Sequence, residues 1–484
     1  MSRPMLSLVI AVFLLGVGCL SARAATYYVS KSGSNSNSCS SAQSKSGAKG
    51  TINGGISCMA GGDTLIVGNG TYDEIITDLT GTTSYVVRPP SGSSWSSPTT
   101  IKAENPLGAT IVVTSPPGGW GSIMEFDSNS SYIVFEGFVL DGQFARDPLV
   151  GMDVAAHHLR FKDMELKNSA GSGFQGEASN WEFINLHIHH SGWTATNNTS
   201  CTQGNCPTTC GQSSNFCLQV GSIYSWAKCH GFCHGFYIKG SGHLIDGGYF
   251  HDNDDQAVQL YAGNSTVRNA TMSYNPNWGV GSFGSSNTIY NNVFNHCGNN
   301  TLDGSGGFAA SGAIILSGGT NTVVGNTIYN SGGTNGVYGV YDRNHNSTIK
   351  NNLFVNLPVT AERGYIYGEG GGGASGNWYV TNGVNASLIA GNICDNNTMV
   401  GCTAVSASST FFVNPGAVDF HNASGAPQLN AGVTLGTLYD VDHDGGARPQ
   451  GTGWDVGAYE GTGTVQPPPP TRLPAPTNLR VRVQ

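Results

Sequence analysis

Charge is scarce in this sequence: Asp, Glu, Lys and Arg make up 11% of 484 residues, 21 basic against 30 acidic. So thin a supply excludes long solvated amphipathic helices, which need a charged face along their length. No cluster of Lys or Arg occurs, and the formal net charge is −9. Nucleic acid is therefore not an expected partner, because phosphate binding depends on basic side chains that displace counterions. Long apolar runs are also missing, with one exception. The run from Leu6 to Leu20 follows Arg3 and precedes the small residues Ala22, Ala24 and Ala25, the layout of a signal peptide over 1–25. It falls short of the roughly 18 to 20 residues a bilayer span needs. No membrane span is expected, and the mature chain is read as secreted or held at the cell surface, as a monomer.

What is abundant is glycine, 70 residues, in a chain also rich in Asn and Ser. That composition favours a turn-rich β-fold of repeated units over several separate domains. Of twelve cysteines, eleven remain after the signal, and an exported chain would use them for disulfides. Cys39 with Cys58 and Cys394 with Cys402 are candidate pairs by proximity. Cys201, Cys206, Cys210, Cys217, Cys229 and Cys233 crowd one insertion, in which fifteen pairings are open. Their uneven spacing favours disulfides over a zinc knot. Cys297 is left as the free thiol.

The strongest signal is a repeated phrase in which one apolar residue is followed five positions later by another, with Asn, Asp or Gly between. It starts at Phe135, Phe161, Phe183, Ile245, Val267, Ile289, Val323 and Ile349 and ends at Leu140, Leu166, Ile188, Phe250, Met272, Phe294, Ile328 and Phe354. Successive starts are 26, 22, 62, 22, 22, 34 and 26 residues apart. A base period of 22 with variable excess is what a coil of three short strands gives, stacking at about 4.8 Å per rung. The fold class is all-β, a right-handed parallel β-helix over 26–461 with terminal cap segments. The gap of 62 is read as one or two coils plus the Cys-rich loop. Asn292, Asn326 and Asn352 share the fourth position of the phrase and predict a ladder of stacked inward amides.

On these residues the chain resembles the pectate-lyase-like β-helix superfamily. TYYVSKSGSNSNS at 26–38 resembles the opening of bacterial members, AGGDTLIVGNGTY at 60–72 their first coil, and DVDHDGGARPQGTGWDVGAYEG at 440–461 their closing segment. After Gly461, the proline run and PAPTNLRVRV resemble a linker and the clipped start of a fibronectin type III module, so 462–484 is read as linker and stub.

A further strand column follows each phrase, marked by Gly235, Ala257, Gly279 and Gly336. Alternation turns Phe236, Ile238, Val258, Leu260 and Val280 inward and leaves Tyr237, Lys239, Gln259, Tyr261 and Phe283 outward on neighbouring rungs. Flat rings with polar neighbours suit sugar, and Trp278 joins them as a substrate-binding candidate. NDDQAVQL at 253–260 resembles the paired-aspartate phrase of polygalacturonases. The rest of that pattern is replaced by Cys233-His234-Gly235-Phe236 one coil earlier and Trp278-Gly279 one coil later. HGFYIKGSGHLIDGG resembles the active coil of mannuronan epimerases, with Tyr237-Ile238-Lys239 where that family carries Asp-Pro-His. A lysine beside a carboxylate cluster resembles β-helix polysaccharide lyases, in which Ca2+ binds the uronate and a basic side chain takes the C5 proton. That resemblance implies Lys239 as base, with Asp255 and His234 as further catalytic candidates and Asp252, Asp254 and Asp255 around Ca2+. Asp440, Asp442 and Asp444, with Gly445, match the first six positions of a calcium loop, but Gly451 stands at the twelfth; a plain Asp/Gly turn is the alternative. The expected function is a Ca2+-assisted lyase acting on an acidic polysaccharide. The alternatives are a non-catalytic glycan-binding protein or adhesin, and a polygalacturonase-like hydrolase.

Overall fold

The computed structural model describes residues 24–461 apart from 78–87, 115–120, 127–129, 144, 197–214, 221–223, 230–232, 299–310, 333–336, 345, 358–365, 369–388, 396–401 and 407. Residues 1–23, within the expected signal peptide of 1–25, and the segment 462–484 lie outside the described residues. Within them, 32 strands hydrogen-bond into one continuous parallel network, each coil pairing with the next. The period read from the sequence is the register of this network. Phe135 pairs with Phe161, and the column runs on through Phe183, Ile245, Val267, Ile289 and Val323 to Ile349. The second column runs from Leu140 through Leu166, Ile188, Phe250, Met272, Phe294 and Ile328 to Phe354. Both columns are fully buried, and each such side chain withdrawn from water contributes about 1.5–3 kcal/mol.

The third residue of the phrase explains why it is always Gly, Asn or Asp. Gly137, Asp163, Asn185, Gly247, Asn269, Asn291, Gly325 and Asn351 all have φ between 49° and 78°. The chain bends there in the left-handed region, which a Cβ disfavours and which short polar side chains tolerate best.

The gap of 62 is a single coil, because Phe174 pairs with Phe236 and Phe183 with Ile245 directly. The excess leaves the solenoid as an insertion, in which Trp193–Thr196, Tyr224–Cys229 and Asn215–Val220 form a separate antiparallel sheet in that order. Cys201, Cys206 and Cys210 lie outside the described residues, while Cys217 and Cys229 fall on these strands. The disulfides Cys39–Cys58 and Cys394–Cys402 are present. The outer-sheet column continues from Gly279 through Ala313 to Gly339, not Gly336, since Val280 pairs with Ile314 and Ile314 with Val340.

The N-terminal end of the core and the outside of its late coils are covered by different segments. Helix Ile52–Ile56, capped by Thr51, buries Ile52 and Ile56 in the same cluster as Val29 and Leu65 of the first rungs. The C-terminal segment folds back along the outside of the late coils. There Val293, Leu353 and Val355 pack against Phe411, Phe412, Phe420, Val456 and Tyr459.

Candidate functional site

The strand Phe236–Ser241 turns Phe236 and Ile238 into the core and Tyr237 and Lys239 outward. Glu177 pairs with Lys239, and Tyr237 with Gln259. The backbone N–H groups of Tyr261 and Phe283 continue the ladder to Ile238 and Leu260, so these two rings follow Lys239 on successive rungs. Tyr261 is 45% exposed and Lys239 is exposed. The Tyr261 ring stacks on Phe283 at 4.9 Å and approaches Tyr237 at 5.6 Å, while Lys239 Nζ lies 5.7 Å from the centre of the Tyr237 ring. Partial burial raises the Tyr261 phenol above its ordinary pKa; Tyr237 and Asp255 add to this and Lys239 opposes it. Further along, the exposed Arg343 guanidinium lies 5.6 Å from the Tyr341 ring. From Glu177 to Arg343 this ledge crosses six rungs, about 24 Å.

Several predicted site residues stand elsewhere. Trp278 is 3% exposed: it stacks on Tyr338 and Tyr341 and joins Ile315 in a small cluster outside the coil. It supports the ledge from below and offers no free face. Gln259 is buried between Tyr237 and Gly281 of adjacent rungs. His234 is fully buried and stacked behind Tyr237. Burial drives its pKa down to about 3. Its Nδ1 accepts the Gln256 N–H at 3.4 Å, the bond of a neutral ring.

The three aspartates expected around Ca2+ are not brought together. Asp252, with φ 53°, turns to His251 Nδ1 at 2.6 Å. Asp254 is fully buried, and Asp255, also buried, accepts from Asn277 Nδ2 at 2.5 Å and lies 3.5 Å from His234. The reason is geometric: residues 252–255 round a bend, so consecutive side chains leave in different directions. At the other candidate calcium loop, Asp442 is buried and accepts from the N–H groups of Asp444, Gly446 and Glu460. Asp444 bonds His421 at 2.7 Å, and the backbone carbonyl of Asp440 accepts from Arg448 N. This is a closed Asp turn in which the Asp442 and Asp444 carboxylates are already engaged, while Asp440 faces solvent. Arg268 pairs with Asp246 and the Tyr290 hydroxyl, both at 2.7 Å, on a different sheet.

Sequence reasoning passed over one cluster, on the sheet that precedes the ledge. His187 and His189 alternate outward around Ile188, and Glu165 pairs in register with His187. Ligand atoms of Glu165, His187 and His189 all lie within 4.8 Å of one another, the one such group of three or more among the described residues. The signal was His187-Ile188-His189-His190, where His-x-His on a strand puts two imidazoles on one face.

A family model described as a right handed beta helix region matches residues 172–354 and 234–416. Among solved structures the chain is similar to a pectate lyase, with 15% identity and a TM-score of 0.49 over 90% of this chain and 96% of that one. It is also similar to a rhamnogalacturonan lyase, at 14% and 0.45 over 71% and 84%, and to an alginate lyase, at 14% and 0.38 over 74% and 52%. No curated protein matches the sequence.

Proposed function

The chain belongs to the right-handed β-helix family, and from that premise we propose that it is an exported protein that binds an acidic polysaccharide along the ledge and cleaves it by β-elimination. One observation carries the reading: an outward aromatic row in which Tyr261 is exposed and Tyr237 and Phe283 are half-buried, with the exposed Lys239 beside it. Ring faces take up the apolar faces of sugars, while Arg343, farther along, meets a uronate carboxylate. In the elimination Lys239 acts as the base and takes the C5 proton, the C4–O bond breaks with its electron pair leaving on the glycosidic oxygen, that oxygen takes up a proton from water, and a C4–C5 double bond remains. Export is supported by the leader sequence and by the disulfides Cys39–Cys58 and Cys394–Cys402, which persist in oxidising compartments. Among the described residues no helix is long and apolar enough to cross a membrane.

The residues do not fit a Ca2+ cradle, because the aspartates of 252–255 diverge and two of them are buried; no step is routed through calcium. Binding without cleavage is the second reading. It is favoured by the burial of His234 and Asp255, which leaves Lys239 as the exposed member of the predicted catalytic set.

The test is to incubate the protein with a panel of polyuronates, following the ultraviolet absorbance of unsaturated uronate and, in parallel, affinity by gel retardation. Wild type should yield unsaturated product, and Lys239→Ala should lose at least about 100-fold in rate, the scale of a removed general base. Tyr261→Ala should weaken binding about tenfold, the equivalent of ~1.4 kcal/mol. Retardation with no product would select the binding reading. Neither signal on any polyuronate would sink both.

A further inference from the structure

The Glu165, His187 and His189 cluster has the features of a metal site, and it is separate from the ledge. His187 and His189 lie two residues apart on strand Glu182–His189, and Glu165 and Lys167 are their partners one rung earlier. The strand period of two and the rung spacing of about 4.8 Å therefore bring two imidazoles and a carboxylate together on a rigid sheet. All three point away from the coil interior, yet His187 and His189 are only 8% and 7% exposed. His189 Nε2 lies 3.0 Å from Glu165 Oε1, and Glu165 Oε2 lies 3.4 Å from Lys167 Nζ. His251, 2% exposed, brings its Nε2 to 2.8 Å from His187 Nε2 and stacks parallel to His189 at 5.0 Å.

The surroundings supply the outer partners that metal-binding histidines use. His251 Nδ1 bonds the Asp252 carboxylate at 2.6 Å, and His189 Nδ1 faces His190 Nδ1 at 2.6 Å. A ligating imidazole passes its other ring proton to such a group, which fixes the tautomer and the ring plane. Donor atoms of a tetrahedral site with bonds of 2.0–2.2 Å stand roughly 3.4 Å apart. The Glu165–His189 and His187–His251 donor pairs already stand at 3.0 and 2.8 Å, and the donors of Glu165, His187 and His189 lie within 4.8 Å of one another, so side-chain rotation on the rigid strands closes the set around an ion. Imidazole nitrogen with one carboxylate selects zinc and its neighbours over calcium or magnesium, which take oxygen.

We propose that Glu165, His187 and His189, with His251 as the fourth donor, bind one divalent transition-metal ion of the zinc class. Near-complete burial of the imidazoles makes it a closed, structural site. It lies where strand Glu182–His189 ends and, four residues on, the insertion begins at Trp193, so the ion staples the root of the insertion to the preceding rung.

The experiment titrates chelator-washed full-length protein with Zn2+ against a chromophoric indicator, and separately with Co2+ under an absorbance scan. One equivalent of Zn2+ should bind and resist excess Ca2+. Glu165→Gln and His189→Ala should each weaken binding at least about 100-fold and His251→Ala at least about 10-fold, while His158→Ala leaves it unchanged. Co2+ in the wild type should give the visible bands of a tetrahedral nitrogen and oxygen set without thiolate charge transfer, a readout that stands even if a variant does not fold. Thiolate bands would place the ion on the Cys-rich insertion and overturn the proposal. So would unchanged affinity in the folded Glu165→Gln and His189→Ala variants, or no uptake by the wild type.

Discussion

His243 shows how one side chain can tie two coils together. Its Nδ1 accepts the Trp181 N–H at 3.3 Å and its Nε2 donates to the Lys239 carbonyl at 2.9 Å, the pattern of a neutral ring. Burial lowers its pKa against the opposing effect of these hydrogen bonds, and burial lowers His234 likewise, to about 3. The unfolded chain takes up protons on these histidines near pH 6.5 while the native state does not, so their contribution to stability is complete above about 6.5 and is lost as pH falls below it. The part these histidines contribute should therefore decline from about pH 6.5 toward pH 5, by up to about 1.4 kcal/mol per pH unit for each such group, read as falling unfolding midpoints over that range. His243→Gln keeps a donor and an acceptor and should flatten the decline by one proton's worth; an unchanged slope would mean other groups set it.

At the scale of single strands and bends, the asparagine ladder is longer and more frequent than the sequence suggested. Asn292, Asn326 and Asn352 stack as expected, and Asn392 extends the column, since Asn352 Nδ2 donates to Asn392 Oδ1 at 3.1 Å. Second and third ladders run through Asn253 and Asn275 and through Asn287 and Asn321. Those positions fall outside the repeated phrase, in bends where turn-forming Asn is common anyway, so a single pair did not stand out. Asn326 Oδ1 accepts the Asn292 N–H at 2.9 Å and its Nδ2 donates to the Ile289 carbonyl at 2.9 Å. Asn326→Ala strands both groups in a dry bend and should cost about 2 kcal/mol or more, read as a lower urea midpoint at unchanged slope.

Cys297 belongs to this same scale. It takes the rung after Asn275, and its Sγ reaches the Met272 carbonyl at 3.3 Å as Asn275 Nδ2 reaches that of Phe250. It forms no disulfide, and burial pushes its thiol up to about 12. Cys297 should be inert to thiol reagents in the native protein and react only on unfolding. Cys297→Asn should fold and hold stability within about 1 kcal/mol, since it restores a ladder amide of similar size; a large loss would show that the rung is too narrow for an amide.

For the molecule as a whole, the solenoid depends on what closes its outer face. The C-terminal segment hangs on Arg448, which is buried and bonds Glu460 at 3.0 Å, the Gly457 and Ala458 carbonyls at 2.9 and 2.8 Å, and Asn291 Oδ1 at 3.3 Å. Further ties run from Asn291 Nδ2 to the Val441 carbonyl and from Ala458 N to Thr327 Oγ1. Arg448→Met leaves Glu460 charged in a dry site and should cost about 3–5 kcal/mol. If the cap then detaches, native-state hydrogen exchange should rise first over 408–461 and over the late outward strands it covers.

The sequence by itself determined the coil. Its period, its inward columns and the left-handed bend residues follow from local rules, because each coil repeats the same backbone path and each position meets its own counterpart 22 residues away plus the length of any inserted loop. It also placed Tyr237, Lys239 and Tyr261 on one outward face, which strand alternation alone dictates. Only the tertiary structure decided which outward groups see water. Trp278, Gln259, His234 and Asp255 share that region of sequence yet are buried, because neighbouring rungs and the bend at 252–257 enclose them. Only the fold, likewise, set Glu165 beside His187 and His189 and carried the C-terminal cap back onto Val293 and Leu353. Periodicity fixes which face a side chain takes, whereas proximity between rungs and cover from distant segments arise when the coils stack.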